Sequence, residues 1–328
     1  MIPRVFTTFN AVRRPPTRAV VTVGVFDGVH LAHQQILRST TRLARQLKGT
    51  SVVITFHPDP HVVLDPPHAP LALMPLTARV ASLCALGVDW VWVIPFTKRF
   101  ARMSAEAFLR QVLIERLRAV ALVVGEGFVF GRHRRGDTGL LQALGPRHGM
   151  RVMPVPPITR AGEPVSSSRI RRLIGQGKLA MAERLLGRPP ELYGEVVRGA
   201  GRGRALGIPT ANLQFASHVL PPRGVYAVLV KTAGPRGLWG DGGGRVRRHP
   251  SVHRGLMNLG IRPTFGPGPL VGEVHLVGFS GSLRGCSVTI SLLARLRGER
   301  RFPSPDALLR QIRKDLLRAR RVFRTVCA

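Results

Sequence analysis

Acidic residues are scarce in this sequence. Its 328 residues include 17 Asp and Glu against 50 Lys and Arg, which gives a formal net charge of +33, and only five of those 50 are lysines. A surplus of this size attracts polyanions such as nucleotides and nucleic acids. Drift from lysine to arginine under biased base composition produces the same pattern. Because the arginines are dispersed along the chain, we favour drift with incidental nucleic-acid affinity over a dedicated nucleic-acid surface.

Long hydrophobic runs and paired cysteines are also missing. No apolar run approaches the roughly 20 residues that a helix needs to cross a bilayer, so no membrane span is predicted. The first 18 residues include several arginines and lack the apolar core of a secretory signal. Cys84, Cys286 and Cys327 are odd in number and have no metal-ligand spacing, which favours a reducing, cytoplasmic compartment.

The chain is long enough for two domains, and its pattern changes at Gly187. Before that glycine, apolar runs alternate with segments of helical periodicity, which predicts an α/β domain with a parallel sheet. After it, short runs separated by turn residues predict a small antiparallel barrel followed by a C-terminal helix. We therefore predict one domain over residues 1–187 and another over residues 188–328.

The predicted elements follow from these patterns. In the first domain the strands are 19–26, 51–56, 88–96 and 120–124, and the helices are 29–38, 77–86, 104–117 and 179–186. In the second domain the strands are 193–197, 224–230, 255–259, 271–279 and 286–293, and the closing helix is 305–321. Residues 234–250, rich in Gly and Arg, are predicted to form a mobile surface insertion.

The stretch AVVTVGVFDGVHLAHQQIL, residues 19–37, is the most informative part of the first domain. It is typical of a buried strand, a glycine turn and a helix. His30 and His33 are three residues apart, so in a helix both imidazoles face one side of the first turn. That turn carries free backbone N–H groups and the positive end of the helix dipole, which favour a phosphate. Two ordinary, partly exposed helical histidines are the alternative.

Ligands of parallel sheets bind at the carboxyl ends of the strands, where the turns after Phe26, Phe56 and Val124 are predicted to lie. The loop after Val124 carries Phe128 and Phe130, which are either ligand-facing or core aromatics. In VSSSRIRRL, residues 165–173, three serines offer helix N-caps. Arg171, just inside that helix, opposes the dipole unless an anion is bound there.

The second domain has its own polar centre. PTAN, residues 209–212, follows a Gly-rich run that is weak evidence by itself. The Thr210 hydroxyl and the Asn212 carboxamide are neutral oxygen donors that suit Mg²⁺ when waters and nucleotide phosphates supply its other ligands. Because acids are scarce, Glu273 within a predicted strand is not expected to be a generic surface residue.

These segments together resemble the bifunctional riboflavin kinase and FMN adenylyltransferase family of bacteria. FDGVHLAHQ is similar to an HxGH-type nucleotidyltransferase motif, GEGFVFG to the flavin loop and SSSRIR to the phosphate motif of that family. PTAN, GVY, NLGIRPT, EVH and RGE with a following Phe match the kinase motifs in order. Four residues depart from the family pattern, namely Ala32, Asp59, Gly127 and Arg284.

The resemblance implies a set of site residues. The implied catalytic residues are Glu273, as the base for the riboflavin 5′-hydroxyl, and His30 and His33, as stabilisers of the transferred group. The implied nucleotide- and phosphate-binding residues are Gly24, Phe26, Asp27, Gly28, Ser166, Ser167, Ser168, Arg171, Gly201 and Gly207. The implied flavin-binding residues are Phe128, Phe130, Asn258 and Arg262, and the implied metal ligands are Thr210 and Asn212.

The resemblance also implies a two-step synthesis of FAD. The second domain would phosphorylate riboflavin with ATP and Mg²⁺, and the first would adenylylate the resulting FMN with release of pyrophosphate. The implied partners are riboflavin, FMN and ATP, with no membrane and no predicted oligomeric state. Two alternatives stay open: a riboflavin kinase whose altered first domain is weak or inactive, and a basic RNA- or ribosome-associated protein that reuses the fold.

Overall fold

The computed structural model describes residues 3–198, 207–215, 218–232, 251–261 and 270–326. The chain divides into two compact units, Met1–Pro70 with Leu76–Ser167, and Leu71–Pro75 with Ser168–Ala328. The boundary predicted after Gly187 therefore falls inside the second unit. Gly201, Arg262 and the predicted insertion at residues 234–250 lie outside the described residues.

A six-stranded parallel sheet forms the centre of the first unit, in the order β1-β4-β3-β2-β5-β6. Its strands are β1 Arg4–Phe6, β2 Ala19–Val23, β3 Ser51–His57, β4 Trp90–Pro95, β5 Ala119–Gly125 and β6 Arg151–Val155, and a separate hairpin pairs β7 Thr159–Arg160 with β8 Glu163–Pro164. The predicted parallel α/β architecture is confirmed. The two edge strands were not predicted, because β1 is very short and β6 is only partly buried.

The helices of this half alternate with the strands. They are α1 Leu31–Gln46, α2 Pro60–Leu64, α3 Leu76–Ala85, α4 Lys98–Ala101, α5 Ala105–Phe108 and α6 Thr138–Leu144, with short 3-10 turns at Pro66–His68, Arg132–Arg134 and Gly145–His148. The sequence predicts one helix over 104–117, and Ser104 caps its start, since Ser104 Oγ accepts the Ala107 N–H at 3.1 Å. After Phe108 the chain instead adopts π-helical geometry over Leu109–Arg116.

Strand β2 is buried on both faces, as its largely apolar, Val-rich sequence predicts. All five of its residues are inaccessible to solvent or nearly so. Val21 packs into the core on one side of the sheet, and Val20 packs on the other side with Leu43 and Ala44 of α1. The residues that follow β2 are thus held at the middle of the sheet, at the carboxyl end of a rigid strand.

The second unit contains a closed antiparallel barrel, in the order β10-β13-β12-β11-β14-β9. Its strands are β9 Glu191–Val197, β10 Ala211–Phe215, β11 Gly224–Thr232, β12 Ser251–Ile261, β13 Leu270–Leu276 and β14 Ser287–Arg297; two helices, α7 Ser167–Gly175 and α8 Leu179–Leu186, precede it and α9 Pro305–Val326 follows it. The predicted barrel and closing helix are confirmed, with β10 as a sixth strand that the sequence did not reveal. Among the described residues no helix is long and apolar enough to cross a membrane.

Barrel strands alternate between an inner and an outer face. Met257, Val274 and Leu213 belong to the inner core. On the outer face, Val225 and Ala227 of β11 pack against Ala319 and Phe323 of α9. Four residues before Ala319 on α9, Asp315 is buried and accepts a hydrogen bond from Arg297 Nε at 2.8 Å.

Candidate active sites

The turn between β2 and α1 contains three residues with positive φ, in the left-handed region of backbone conformation. Phe26, Gly28 and Val29 have φ values of 55°, 82° and 41°. Positive φ is costly for a β-branched residue such as Val29 and persists where surrounding contacts fix the backbone. Here the Val29 N–H donates to the Phe26 carbonyl at 3.1 Å, and the Thr55 hydroxyl donates to the Val25 carbonyl at 3.0 Å. These hydrogen bonds therefore fix the backbone of the turn before any ligand binds.

Gly24 makes room for an aromatic ring in this turn. A Cβ added at Gly24 would lie 3.1 Å from Cζ of Phe26, so the ring packs directly against the glycine. The Phe26 ring in turn meets the His33 ring edge to face, with centroids 5.2 Å apart. Gly24 and Phe26 therefore help to set the orientation of His33.

His30 and His33 form a stacked pair at the start of α1. Their ring centroids are 3.6 Å apart and their planes differ by 18°. His30 is the N-cap rather than a first-turn residue, and its Nδ1 accepts the His33 backbone N–H at 3.4 Å. Because Nδ1 of His30 is an acceptor, the neutral ring carries its proton on Nε2, which can donate to a ligand.

The environment of His33 keeps its ring neutral. Burial lowers the pKa of His33 well below its ordinary value of 6.5, and the nearby charges of His30 and Arg79 lower it further. Its Nδ1 atom is inaccessible to solvent and has no hydrogen-bond partner among the described residues. A neutral imidazole at physiological pH is a fixed N–H donor for a negative charge that develops beside it.

Arg79 belongs to this site, although sequence reasoning missed it. The residue lies on α3, its side chain is only 4% exposed, and its Nη1 donates to the Phe56 carbonyl at 3.2 Å, at the carboxyl end of β3. Its charge also lowers the pKa of His57, after the larger effect of burial. The available signal was an arginine beside the buried Val80 and Leu83 of α3. A buried cation here makes this edge of the sheet attractive to phosphate.

Ser167, the last residue of the first unit, is bonded to the same turn. Ser167 Oγ donates to the Asp27 carbonyl at 2.8 Å, and the Asp27 side chain is buried. Ser166 directly precedes this contact and is half-buried. Of the predicted phosphate-binding residues, the structure thus brings Asp27, Gly28 and Ser167 together.

Phe128 and Phe130 follow β5, the neighbour of β2. Their rings stack with centroids 5.4 Å apart and planes within 11°. Phe130 also packs on Phe108, at 5.7 Å, and is 9% exposed, so it is a core residue. Phe128 is half-buried and is the better candidate for a ligand contact.

The structure describes the surroundings of three residues that depart from the family pattern, Asp59, Gly127 and Ala32. Asp59 is the N-cap of α2, where its Oδ1 accepts the His61 N–H at 2.9 Å, so it has a structural role. Gly127 has no atom within 4 Å of the place where a Cβ would stand. Ala32 is the second residue of α1 and is half-buried.

In the second unit, α7 carries two further predicted residues. Ser168 is exposed, and Arg171 donates its Nε–H to the Leu71 carbonyl at 2.7 Å. This bond ties residues 71–75 to α7 and gives a structural reason for a cation near the start of the helix. The sequence alone did not reveal this partner, because Leu71 is a hundred residues away from Arg171.

The strand register of the barrel assembles a polar row. Glu273 of β13 stands directly opposite Asn212 of β10 on one side and Asn258 of β12 on the other. Directly opposite residues on antiparallel strands point to the same face, with Cα atoms about 4.5–5.5 Å apart. The flanking Val274 and Met257 face the barrel core, so the row lies on the outer face.

Thr210 lies next to this row, just before β10. A cavity of about 470 Å³ is lined by Thr210 and Asn212, by the apolar Val196 and Phe279, and by residues 280–284. Arg284, where the family commonly has Tyr, belongs to this lining. Gly207, with φ of 72°, is the first described residue of the segment that leads to Thr210.

The two halves of the chain match two family models. The FAD synthetase model matches residues 12–169, and the riboflavin kinase model matches residues 186–323. The matches cover both halves and so do not favour either alternative, a lost first activity or a nucleic-acid-associated protein.

Similar proteins span nearly the whole chain. A bifunctional riboflavin kinase/FMN adenylyltransferase of Escherichia coli strain K12 is 35% identical over 314 residues, which cover 96% of each protein. One from Pseudomonas fluorescens is 37% identical over 309 residues, 94% of each. A crystal structure from Streptococcus pneumoniae, described as a macrolide-efflux protein, has a TM-score of 0.82 at 29% identity and covers 98% of this chain and 99% of that one.

Proposed function

This chain belongs to the bifunctional riboflavin kinase/FMN adenylyltransferase family, and from that premise we propose how its residues divide the two reactions. It phosphorylates riboflavin to FMN with ATP and adenylylates FMN to FAD. We assign the adenylyl transfer to residues 1–187 and the kinase reaction to residues 188–328. The observation that carries the assignment is the presence of two separate polar centres, the stacked imidazoles and the Glu273 row.

Glu273 is the general base of the kinase reaction. Its carboxylate takes the proton of the riboflavin 5′-hydroxyl while that oxygen attacks the γ-phosphorus of ATP. The bond between the γ-phosphorus and the β,γ-bridging oxygen breaks, and ADP leaves with the electron pair. Asn258, directly opposite Glu273, offers a carboxamide to orient the flavin. Arg262 stays a predicted flavin ligand on the strength of the NLGIRPT motif.

Thr210 and Asn212 fit a magnesium ion. Both offer hard, neutral oxygen atoms, and the cavity beside them has room for the nucleotide phosphates that would complete the coordination. The described residues contain no cluster of three or more His, Cys, Asp or Glu side chains that could hold a metal. When bound, the ion neutralises charge on the phosphates of ATP.

His30 and His33 serve the adenylyl transfer. A phosphate oxygen of FMN attacks the α-phosphorus of ATP, the bond to the α,β-bridging oxygen breaks, and pyrophosphate leaves. The Nε2–H of His30 and the neutral ring of His33 stabilise the charge on the α-phosphate oxygens. The proposed nucleotide contacts of the first unit are Gly24, Phe26, Asp27, Gly28, Ser166 and Ser167. Phe128 is the proposed flavin contact, and Phe130, a core residue, supports its ring by stacking. Ser168, Arg171, Gly201 and Gly207 stay predicted phosphate ligands that rest on the sequence motifs.

We further propose a cytoplasmic location and a charge-driven affinity for nucleic acid. Cys84 and Cys286 are free thiols, which suits a reducing compartment. The exposed face of α9 carries Arg310, Arg313, Lys314, Arg318, Arg320, Arg321 and Arg324. Affinity of this kind is incidental to catalysis and weakens steeply as salt concentration rises.

An end-point assay tests the division of labour. The purified protein is incubated with riboflavin, ATP and Mg²⁺, and the flavins are separated by chromatography, beside a His30→Ala/His33→Ala variant. We expect FAD from the wild type and accumulation of FMN in the variant, because only the first site is disabled. Equal FAD from both proteins would contradict the role of the histidines, and FMN alone from the wild type would show that the first site is inactive.

A further inference from the structure

The backbone ladder beside the proposed metal ligands stops one residue short of Thr210. The last pair between β10 and β13 is Ala211 with Val274, so Thr210 stands level with His275 but is not paired with it. Pro209 precedes Thr210 and has no N–H to give to a ladder. The segment would therefore leave the barrel at Ala211 if only backbone hydrogen bonds held it.

Where the backbone pairing of β10 with β13 stops, the His275 side chain supplies a further hydrogen bond. Its Nδ1 lies 2.9 Å from the Pro209 carbonyl oxygen, and since a carbonyl only accepts, the imidazole is the donor. His275 is two residues after Glu273 on the same strand, and residues at this spacing share one face of a strand. One side chain next to the proposed base thus holds the backbone next to the proposed metal ligand.

We propose that His275 is a positioning residue of the kinase site, which fixes Thr210 and Asn212 level with Glu273. The inference rests on the proposed roles of those three residues. The backbone of Thr210 is held on one side by the Ala211–Val274 pair and on the other by the His275–Pro209 hydrogen bond. Both donors of the proposed metal site are then kept at a fixed distance from the carboxylate that accepts the proton. Such pre-organisation is what phosphoryl transfer needs most from a protein.

A matched pair of substitutions isolates the hydrogen bond. In His275→Asn the amide nitrogen is attached to Cγ, as Nδ1 is in histidine, so the donor is retained. In His275→Leu a methyl group replaces the donor on a side chain of the same branching. Comparison of these two variants therefore separates loss of the hydrogen bond from loss of the ring.

The first readout is the rate of riboflavin phosphorylation as a function of Mg²⁺ concentration. For His275→Leu we expect the Mg²⁺ concentration at half-maximal rate to rise about five-fold, the factor that corresponds to loss of one neutral hydrogen bond. For His275→Asn we expect a value within about two-fold of the wild type, on the same reasoning. Simple unfolding would lower the maximal rate and leave the magnesium dependence unchanged.

Two controls are available in the same chain. His253 on β12 bonds to Ser251, two residues away on its own strand, so His253→Leu removes a barrel histidine without touching Pro209. Adenylyl transfer to supplied FMN should stay unchanged in every variant, because its proposed residues lie within residues 1–187 and none of them is substituted. Equal behaviour of His275→Asn and His275→Leu, whether both impaired or both normal, would overturn the proposal.

A second readout does not depend on activity. Hydrogen exchange of peptides that cover residues 207–215 should be faster in His275→Leu than in His275→Asn and the wild type, because the tie at Pro209 is lost. If the wild type failed to phosphorylate riboflavin, the proposed function would fail while this exchange difference remained. If exchange were identical in all proteins, the positioning role would fail whatever the activity.

Discussion

In the first unit, the central residues of the candidate site run from Gly24 to His33 through one turn, with Arg79 and Ser167 added from elsewhere in the chain, whereas in the second unit Asn212, Asn258 and Glu273 come from three separate strands. The first arrangement depends on local backbone geometry, with three left-handed residues and a helix N-terminus. The second depends on the register of a closed barrel. A local site tolerates changes elsewhere in the fold, but a register site is intact only while the strands keep their pairing.

Glu273→Gln should have the largest effect on activity, and it should impair the reaction of the second unit but not that of the first. The substitution keeps the shape of the side chain but removes the proton acceptor, and loss of a general base costs about 10²–10⁴-fold in rate. Phosphorylation of riboflavin should fall by that factor, while conversion of supplied FMN to FAD stays at the wild-type rate. Separate initial-rate assays with each flavin measure this. A parallel fall in both rates would mean that the sites are not independent.

Asp315→Ala should damage the barrel site without touching its residues. Asp315 is 1% exposed and accepts hydrogen bonds from Arg297 at 2.8 Å and from Gln311 at 2.9 Å. Its removal leaves a partly buried arginine without its counter-charge, which costs about 3 kcal/mol in the free energy of unfolding. We expect the kinase activity to be lost at a lower temperature than the adenylyl transfer.

The matched control for that experiment is Asp306→Ala, an exposed residue in the first turn of α9. It should change the thermal midpoint of kinase activity far less. Equal losses of both activities in Asp315→Ala would contradict the view that the substitution disturbs the strand register of the barrel rather than the stability of the whole protein.

A smaller effect is expected from His33, in the dependence of stability on pH. Burial lowers the pKa of His33 in the folded protein, whereas the unfolded chain has the ordinary value of 6.5. Below pH 6.5 the unfolded state therefore binds more protons, so the free energy of unfolding falls as pH falls, by at most about 1.4 kcal/mol per pH unit for one histidine. Above pH 6.5 this contribution is fully present.

Urea unfolding between pH 5 and 8 measures the slope. His33→Gln should flatten it, with a remainder from His57, whose pKa is lowered as well. His148→Gln, a substitution of the same type at an exposed position, serves as the control. An unaltered slope in His33→Gln would mean that its ring is not kept neutral by the fold.

Features with a local cause could be predicted from the sequence. Ser104, a residue type that favours helix N-caps, caps its helix, and α8 ends at Gly187, whose φ of 75° suits glycine. The alternation of strands and helices was enough to predict the parallel sheet, because a buried parallel strand such as β2 is a nearly continuous apolar run. The motif around His30 and His33 was visible for the same reason, since all its parts lie within one turn of chain.

Features with a distant partner could not be predicted. Arg79 comes near His33 only because α3 packs against the end of β3. Arg171 donates a hydrogen bond to the carbonyl of Leu71, a hundred residues away in the sequence. The sixth barrel strand, β10, has only five residues, and its first part was interpreted as a motif. No periodicity within a short segment specifies which residue of another strand will stand opposite it.

The sequence by itself determined the two-domain plan, the nature of each fold and the chemical types gathered in each centre, because burial, helix capping and turn formation act over a few residues. Only the tertiary structure decided that Glu273 stands between two asparagines, that His275 holds Pro209 and that His33 is kept neutral beside a buried arginine. Those relations depend on strand register and on burial, which arise when distant parts of the chain pack together and exclude water.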